Sequence, residues 1–475
     1  MSLRSPISGA LSACAFVLAT GCAVGPKYVP PPIASPVSFK SPAPGEIAAG
    51  ELSEEWWRLY GDADLDRLID MANASNQTLQ VAVARVDEAR ALARVASSYR
   101  YPTITVSPTV LRQRTSPNVV SSITGQPTGR SATFSESLVP ADFGYELDVF
   151  GRIRRSLQAA RAAAVATQDD EAVVRLGVQT DVAQYYYALR LLDAQFEILA
   201  ETVDAYREQV RVLSVQVNTG LTSPLTLSQA QAQLQTTLAQ QTDVARARDD
   251  EEHALAILCG EAAPAFSVRS NPLRDGVPPA VPAGLPATVL SRRPDVAEAE
   301  QNIVAANAQV GVATANLYPT FALTGTGGVL SSAVESLFAW QSRIWSLAAG
   351  VTAPIFEGGR RRANLEAARA QYRQTVAAYV NQVLIAYGDV EDALTDLHGF
   401  TDQVASLREA VRVSQTYLRL AEVQYRNGLV DYLTMIDAER TLLANQLAFT
   451  QALNLQMTAS IHLIKALGGG WKNRA

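Results

Sequence analysis

The stretch VQTDVAQYYYALRLLDAQFEILAETVDAYREQVRVLSVQVNTGLTSPLTLSQAQAQ, Val178 to Gln233, decides how this chain folds. Its apolar positions are Val178, Val182, Tyr185, Leu189, Leu192, Phe196, Leu199, Val203, Tyr206, Val210, Leu213 and Val217. The steps between them alternate four and three, the 3.5-residue period of a helix that supercoils with neighbours. Asn218-Thr219-Gly220-Leu221-Thr222-Ser223-Pro224 then breaks the pattern. Glycine suits the left-handed residue that follows a helix, and proline suits the first turn of the next. The stretch therefore reads as a helical hairpin with Gly220 at its tip. The same unit returns 208 residues later, where Gly220, Leu221, Leu225, Thr226 and Ala230 become Gly428, Leu429, Leu433, Thr434 and Ala438. Upstream of the turn, Leu189, Leu199, Val203 and Val210 map onto Leu397, Leu407, Val411 and Leu418. The chain is a tandem duplication of a long helical hairpin.

Bulk properties narrow the function. A length of 475 residues with 48% hydrophobic content allows two or three domains with ample core. A net charge of -6 argues against a nucleic-acid partner. Three cysteines are too few and too scattered for a disulfide framework or a zinc site, and His253, His398 and His462 have no companion ligands. No metal or cofactor is expected. At the N-terminus, Arg4 is followed by an apolar run from Ile7 to Thr20 and then Gly21-Cys22. Residues 1–21 read as a lipoprotein signal peptide, with the Cys22 thiol acylated as the first mature residue. Lipidation implies the envelope of a didermic bacterium. The mature chain has no apolar run of 18 residues, so a membrane crossing must use strands.

In chain order, residues 22–62 form a Pro-rich tether, and the first repeat spans 63–260. A helix is expected from about Leu65 to Tyr99, ending at Tyr101-Pro102. The period then changes to two, with Ile104, Val106, Pro108 and Val110 alternating with Thr103, Thr105, Ser107 and Thr109. After a polar loop the alternation resumes in Phe143, Tyr145, Leu147 and Val149 against Asp142, Gly144, Glu146 and Asp148. These strands make a β-hairpin over 103–150. Phe150-Gly151-Arg152 opens the long helix, ~100 Å at 1.5 Å per residue, and Pro224 to Leu258 returns about half that length. A linker, 261–284, leads to the second repeat at 285–468, which begins with a helix from about Leu285 to Leu317. Its hairpin, 320–356, includes the cleanest strand: Trp345, Leu347, Ala349, Val351, Ala353 and Ile355 on one face, Ser346, Ala348, Gly350, Thr352 and Pro354 on the other. A second long helix, a last helix from Tyr432 and a tail at 469–475 complete the chain.

Strands of about ten alternating residues have the length to cross an outer membrane. Four of them cannot close a barrel, and an open edge in lipid costs several kcal/mol per unpaired backbone group. The hairpins must be pooled, and three copies give twelve strands. The expected fold is mostly α with a small transmembrane β part: duplicated coiled-coil helical hairpins and four strands per subunit. Three subunits would form a 12-stranded β-barrel continued by a periplasmic α-helical barrel, the half-length helices stacking end to end. Phe143, Leu147, Val149, Trp345, Leu347, Val351 and Ile355 are the lipid-facing candidates, with Asp142, Glu146 and Asp148 facing the lumen. Tyr101, Phe150, Tyr318 and Phe356 suit the headgroup zone.

Several motifs carry a family resemblance: Gly21-Cys22-Ala23-Val24-Gly25-Pro26-Lys27-Tyr28, Trp56-Trp57, Asn76-Gln77-Thr78-Leu79, Arg293-Pro294-Asp295-Val296, Tyr318-Pro319, Phe356-Glu357-Gly358-Gly359-Arg360, Tyr425-Arg426-Asn427-Gly428-Leu429, Tyr432-Leu433-Thr434 and Ala466-Leu467-Gly468-Gly469-Gly470-Trp471. The chain resembles TolC-like outer-membrane efflux factors, in the lipoprotein branch called NodT-type. The resemblance implies a homotrimeric channel-tunnel, anchored in outer-membrane lipid and docked onto a periplasmic adaptor and an RND-type inner-membrane transporter. It also implies a periplasmic gate of Tyr425, Leu433, Asp437 and Arg440 around the helix-turn tips at Gly220 and Gly428. Three copies of Leu433 would make an apolar constriction, and three of Asp437 an anionic ring. Thr226 in the first copy departs from the aspartate many members carry there.

Two other classes compete. A lipid-anchored periplasmic adaptor would have one hairpin inserted in a β-domain, whereas this chain has two, each joined to strands. A coiled-coil structural lipoprotein would not need the strands. An enzyme lacks support: the sequence holds no nucleophile elbow, HExxH pair or phosphate loop.

Overall fold

The computed structural model describes residues 23–33, 36–40, 52–118, 131–281 and 291–472. The signal peptide and Cys22 lie outside the described residues. The chain divides into two compact units, the first made of residues 1–31, 88–165 and 301–377, the second of 32–87, 166–300 and 378–475.

The first unit holds the strands β1 (Thr103–Val106), β2 (Thr109–Arg114), β3 (Thr133–Leu147), β4 (Thr320–Ser331) and β5 (Arg343–Thr352). They form one antiparallel sheet in the order β1-β3-β4-β5, with β2 pairing β3 beyond β1. The expected first strand is thus split in two. Its break falls at Ser107-Pro108, where proline has no N–H to give the ladder. The two hairpins join through their inner strands, from Ser137 opposite Ser331 to Leu147 opposite Phe321. The last strand ends at Thr352, short of Ile355, because Pro354 follows.

Register sorts the side chains. Ile104, Phe143, Gly325 and Leu347 lie in one row across the sheet, and Leu147, Phe321 and Val351 in another. The alternate rows hold Thr105, Asp142, Thr326 and Ser346, and Glu146, Ala322 and Gly350. One face is therefore apolar and the other polar or small. Within the same unit an N-terminal strap crosses the strand-helix junction. Val24 donates its N–H to the Phe150 carbonyl at 3.1 Å. The Arg155 guanidinium donates to the carbonyls of Val24 and Gly25, and Asn307 donates to that of Pro26 at 3.2 Å. Gly25 must lack a Cβ here, since one would sit 2.6 Å from the Gly311 backbone.

The helices repeat in matched lengths. α1 (Ala63–Ser75) and α2 (Gln77–Ser98) precede the first hairpin, followed by α3 (Arg152–Asn218, 67 residues) and α4 (Pro224–Leu258, 35 residues). The second copy supplies α5 (Pro294–Ala315), α6 (Arg360–Arg426, 67 residues) and α7 (Tyr432–Ala466, 35 residues). The single helix expected from Leu65 breaks at Asn76, whose backbone turns extended. Of the helix expected from Leu285, residues 285–290 lie outside the described residues; α5 begins at Pro294, the first-turn position that proline favours.

Asn76 and Arg293 stand at matching helix joints in the second unit. The side chain of Asn76 accepts from the Leu79 N–H at 3.0 Å and donates to the Leu258 carbonyl at 2.8 Å. It caps the start of α2 and meets the end of α4, so two half-length helices stack through one residue. Arg293, just before α5, meets the end of α7 by donating to the Ala466 carbonyl. Gly260 and Gly468 make the joints possible. Each has positive φ, and a Cβ would lie 2.3 Å from the Ser75 carbonyl oxygen or 2.0 Å from that of Arg292.

The second unit also holds the main core. Trp56, Leu65, Leu68, Ile69, Val182, Tyr186, Leu189, Leu255, Leu394, Leu453 and Ile464 are fully buried there. The four-three seam of α3 is buried at Val178, Val182, Leu189, Leu199, Val203, Tyr206 and Leu213, but Tyr185 and Phe196 are exposed. Tyr186 and Tyr187 are buried instead, because near Ala183 to Ala194 the helix packs on two sides and Asp62 holds the Tyr186 hydroxyl at 2.8 Å.

Candidate functional site

Two places in the fold bear on function, one in each unit. The first is the sheet. β1 and β2 pair only with β3, and β5 only with β4, so the outer edges of the sheet have no partner strand among the described residues. Ile104, Val106, Val110, Trp345, Leu347 and Val351 are exposed along it. An exposed apolar sheet with two open edges is a liability in water and invites pairing with further strands. At its margin Phe150 stacks on Tyr318, centroids 4.6 Å apart, with Phe321 next to it.

The three acidic residues of the first hairpin meet different fates. Asp142 lies on the polar face and accepts from the Thr326 hydroxyl at 2.6 Å, across the seam between the hairpins. Glu146 is on the same face but is held by both arms of Arg152, at 2.9 and 2.7 Å. Asp148 lies past the end of β3. Its carboxylate accepts the N–H groups of Ile153 and Arg154 at 2.9 and 2.8 Å, so it caps α3 rather than projecting from a strand.

The second place is the pair of helix-turn tips. At the first, Gly220 adopts φ +75, its N–H bonding Val217 while Leu221 bonds Gln216. At the second, Gly428 adopts φ +70, with the same bonds from Gly428 to Tyr425 and Leu429 to Gln424. These are matching Schellman ends. Ser223 caps α4 through the Leu225 N–H at 3.1 Å, and Asp431 caps α7 through that of Thr434 at 3.0 Å. Its bonds to Thr434 hold the Asp431 carboxyl below the usual carboxylate range.

Of the residues expected at a gate, Leu433 is 61% exposed on the first turn of α7. Asp437 is exposed and accepts from the Tyr417 hydroxyl at 3.2 Å. Arg440 is exposed, with no ion pair to another described residue. Tyr425 differs: its ring lies half-buried against Tyr432, centroids 5.8 Å apart, in a small cluster with Leu213, Ala230, Met435 and Ile436. Residue-type reasoning missed a neighbour of this group. Gln209 on α3 donates to the Glu439 carboxylate and accepts from the Tyr432 hydroxyl at 3.1 Å. The one available signal was a carboxylate at a helix position flanked by buried Ile436 and Leu443.

Among the described residues no helix is long and apolar enough to cross a membrane, and no group of three acidic, His or Cys side chains is placed to hold a metal. Residues 68–261 and 285–469 match the outer membrane efflux protein family. The chain belongs to that family. It is the outer-membrane component of an efflux pump, a channel protein rather than an enzyme, with the mostly helical fold and small β part of its relatives. It is 32% identical over 465 residues to the solvent efflux pump outer membrane protein SrpC of Pseudomonas putida, covering 96% of this chain and 97% of the relative. It is 31% identical over 467 residues to the cation efflux system protein CusC of Escherichia coli O6:H1, covering 97% and 98%. The solved outer-membrane channel OprN superimposes with a TM-score of 0.86 at 27% identity, covering 95% of this chain and all of that one.

Proposed function

We propose that three copies of this efflux protein pair edge to edge into a twelve-stranded barrel whose lumen continues between the long helices. The supporting observation is the sheet: one apolar face, one polar face, and two outer edges with no partner strand among the described residues. In lipid those edges would leave a row of backbone groups unpaired, each costing several kcal/mol, so closure among subunits is favoured. The apolar rows carrying Phe143, Leu147, Trp345, Leu347 and Val351 would then meet lipid, and Asp142 and Glu146 the lumen.

The strap supports a lipid anchor on Cys22 at the margin of the sheet. Val24 and Gly25 are tied to Phe150 and Arg155, so an acyl group on the preceding Cys22 enters the leaflet beside the aromatic margin of the sheet. At the tips, exposed Leu433, Asp437 and Arg440 from three subunits form a constriction that a periplasmic adaptor opens. Opening requires the adaptor to bind the splayed tip better than the closed one. An RND-type inner-membrane transporter supplies the energy and chooses the cargo. The relatives are named for solvent and for cation efflux, a breadth that suits a duct without a dedicated pocket.

The deciding experiment is extraction of the acylated protein in mild detergent, followed by gel migration with and without boiling and by planar-bilayer recording. A trimer that collapses to monomer on boiling and conducts in lipid is expected. A monomer that is silent in bilayers overturns the reading.

A further inference from the structure

The tip of the second hairpin contains a buried polar contact that its first-copy counterpart lacks. Glu439, one turn before Leu443 on α7, accepts from the Gln209 amide on α3, and Gln209 in turn accepts from the Tyr432 hydroxyl. The other carboxylate oxygen, Oε2, is buried with no hydrogen-bond partner among the described residues. Beside it is a cavity of about 190 Å³ lined by Glu201, Tyr206, Glu422, Leu443 and Gln446, with no basic side chain in its wall. The equivalent of Glu439 in the first copy is Gln231, which cannot ionise.

We propose that Glu439 is a proton-responsive tie between α7 and α3, holding the tip closed when neutral and favouring separation of the two helices when ionised. This rests on the tip being the gate. The titratable groups that face Glu439 bring no positive charge to it. Tyr206 and Glu201 come from α3, Glu422 from α6 and Tyr432 from α7 itself; none is cationic. Arg440 acts on Tyr206 and is exposed beyond it. An ionised Glu439 would leave a charged oxygen without a donor in a site shared with two other carboxylates, a costly arrangement. Apolar packing beside the contact, from Leu213, Ala230, Tyr432, Met435 and Ile436 with Tyr206 and Leu443, keeps water from Glu439 while the helices stay together.

Burial pushes the Glu439 carboxyl up to about 7; the Gln209 bond opposes the rise and Glu422 adds to it. Opening would return the group to water and its ordinary value of 4.5, so opening releases a proton. The closed tip is favoured at low pH. Its advantage falls as pH rises from the ordinary carboxylate range to about 7 and levels off above that. Between pH 6 and pH 8 the open-to-closed ratio should rise about tenfold per opening subunit.

The test uses the full acylated protein in planar bilayers at pH 6 and pH 8, beside Glu439→Gln, which keeps the shape and the bond to Gln209. The wild type should open at least about tenfold more often at the higher pH by this linkage, more if subunits open together, and E439Q should stay at the low-pH level throughout. An equal pH response in E439Q overturns the proposal. Hydrogen exchange over residues 432–446 gives a reading independent of conduction. After correction for intrinsic rates, wild-type exchange should speed up from pH 6 to pH 8 and E439Q exchange should not. Absence of pores in both proteins counts against the channel reading, while the exchange difference alone then decides the fate of the tie.

Discussion

Arg293 donates through Nη1 to the main-chain carbonyl of Ala466 at 3.1 Å, joining the end of α7 to the start of α5. The rest of its guanidinium holds Asp295 at 3.0 and 2.6 Å and Asp389 at 2.9 Å. The residue is 6% exposed. In the first copy Asn76 makes the corresponding joint with a neutral amide. The duplication therefore kept a geometric task and changed the chemistry that performs it.

The two joints should fail by different amounts. Removing a buried guanidinium strands its carboxylate and carbonyl partners, so Arg293→Ala should cost about 3 kcal/mol, at the low end for a broken buried pair because Asp389 is half-exposed. Asn76→Ala loses a cap and one neutral bond, about 1–2 kcal/mol. Thermal dissociation of the detergent-solubilised protein, followed by circular dichroism, should rank wild type above N76A above R293A. Equal losses would mean that the charge adds nothing to the joint.

Glycines of like conformation should differ just as sharply. Gly428 and Gly468 both have positive φ, but a Cβ on Gly428 meets nothing within 4 Å. One on Gly468 would lie 2.0 Å from the Arg292 carbonyl oxygen. Gly428→Ala should cost about 1–2 kcal/mol, the left-handed backbone penalty. Gly468→Ala must also push two helix ends apart and should sharply reduce the yield of folded protein. Comparable yields of G428A and G468A, measured as detergent-resistant oligomer, would contradict the close packing at the joint.

Much of this fold could be read from patterns that depend on spacing alone. The four-three seam, the Gly turns and the two-residue alternation placed the long helices, the tips and the polar and apolar faces of the sheet. What escaped depended on contacts across the chain. Asn76 sits in helix-compatible sequence, and its joint is visible only with the approach of Leu258 from 182 residues away; at Arg293 the following Pro294 marks the helix start, but not the contact with Ala466. A single four-three seam does not pick out Tyr186 and Tyr187, because the helix packs on two sides there. At the tip, a resemblance supplied Leu433, Asp437 and Arg440, but Glu439 emerges only once Gln209 and Tyr432 are seen beside it.

The acidic residues of the first hairpin should not contribute equally to ion selectivity. Asp142 has a hydroxyl partner and no ion pair among the described residues, whereas Glu146 is neutralised by Arg152 and Asp148 is engaged by α3. Asp142→Asn should therefore lower cation preference, read as a shift in reversal potential under a salt gradient. Glu146→Gln, by freeing Arg152, should lower it at least as far. Asp148→Ala should leave selectivity near wild type and cost about 1–2 kcal/mol of stability as a lost cap. A selectivity change in D148A as large as that in D142N would return Asp148 to the lumen wall.

The gate reading makes its own demand on Asp437 and Arg440. Among the described residues Asp437 accepts from the Tyr417 hydroxyl and neither Asp437 nor Arg440 has an ion pair, although both are exposed one turn apart on α7. Charges left over in a subunit are available to neighbours around the axis, where an Arg-carboxylate contact is strong and directional. Asp437→Ala with Arg440→Ala should raise single-channel conductance several-fold and weaken its dependence on salt, since ion pairs are screened. Tyr425→Ala should act differently, because its ring packs on Tyr432 inside the subunit. It should loosen the tip and lower stability, with a smaller gain in conductance than the double variant. Unchanged conductance in the double variant, with an intact trimer on gels, would remove both residues from the gate.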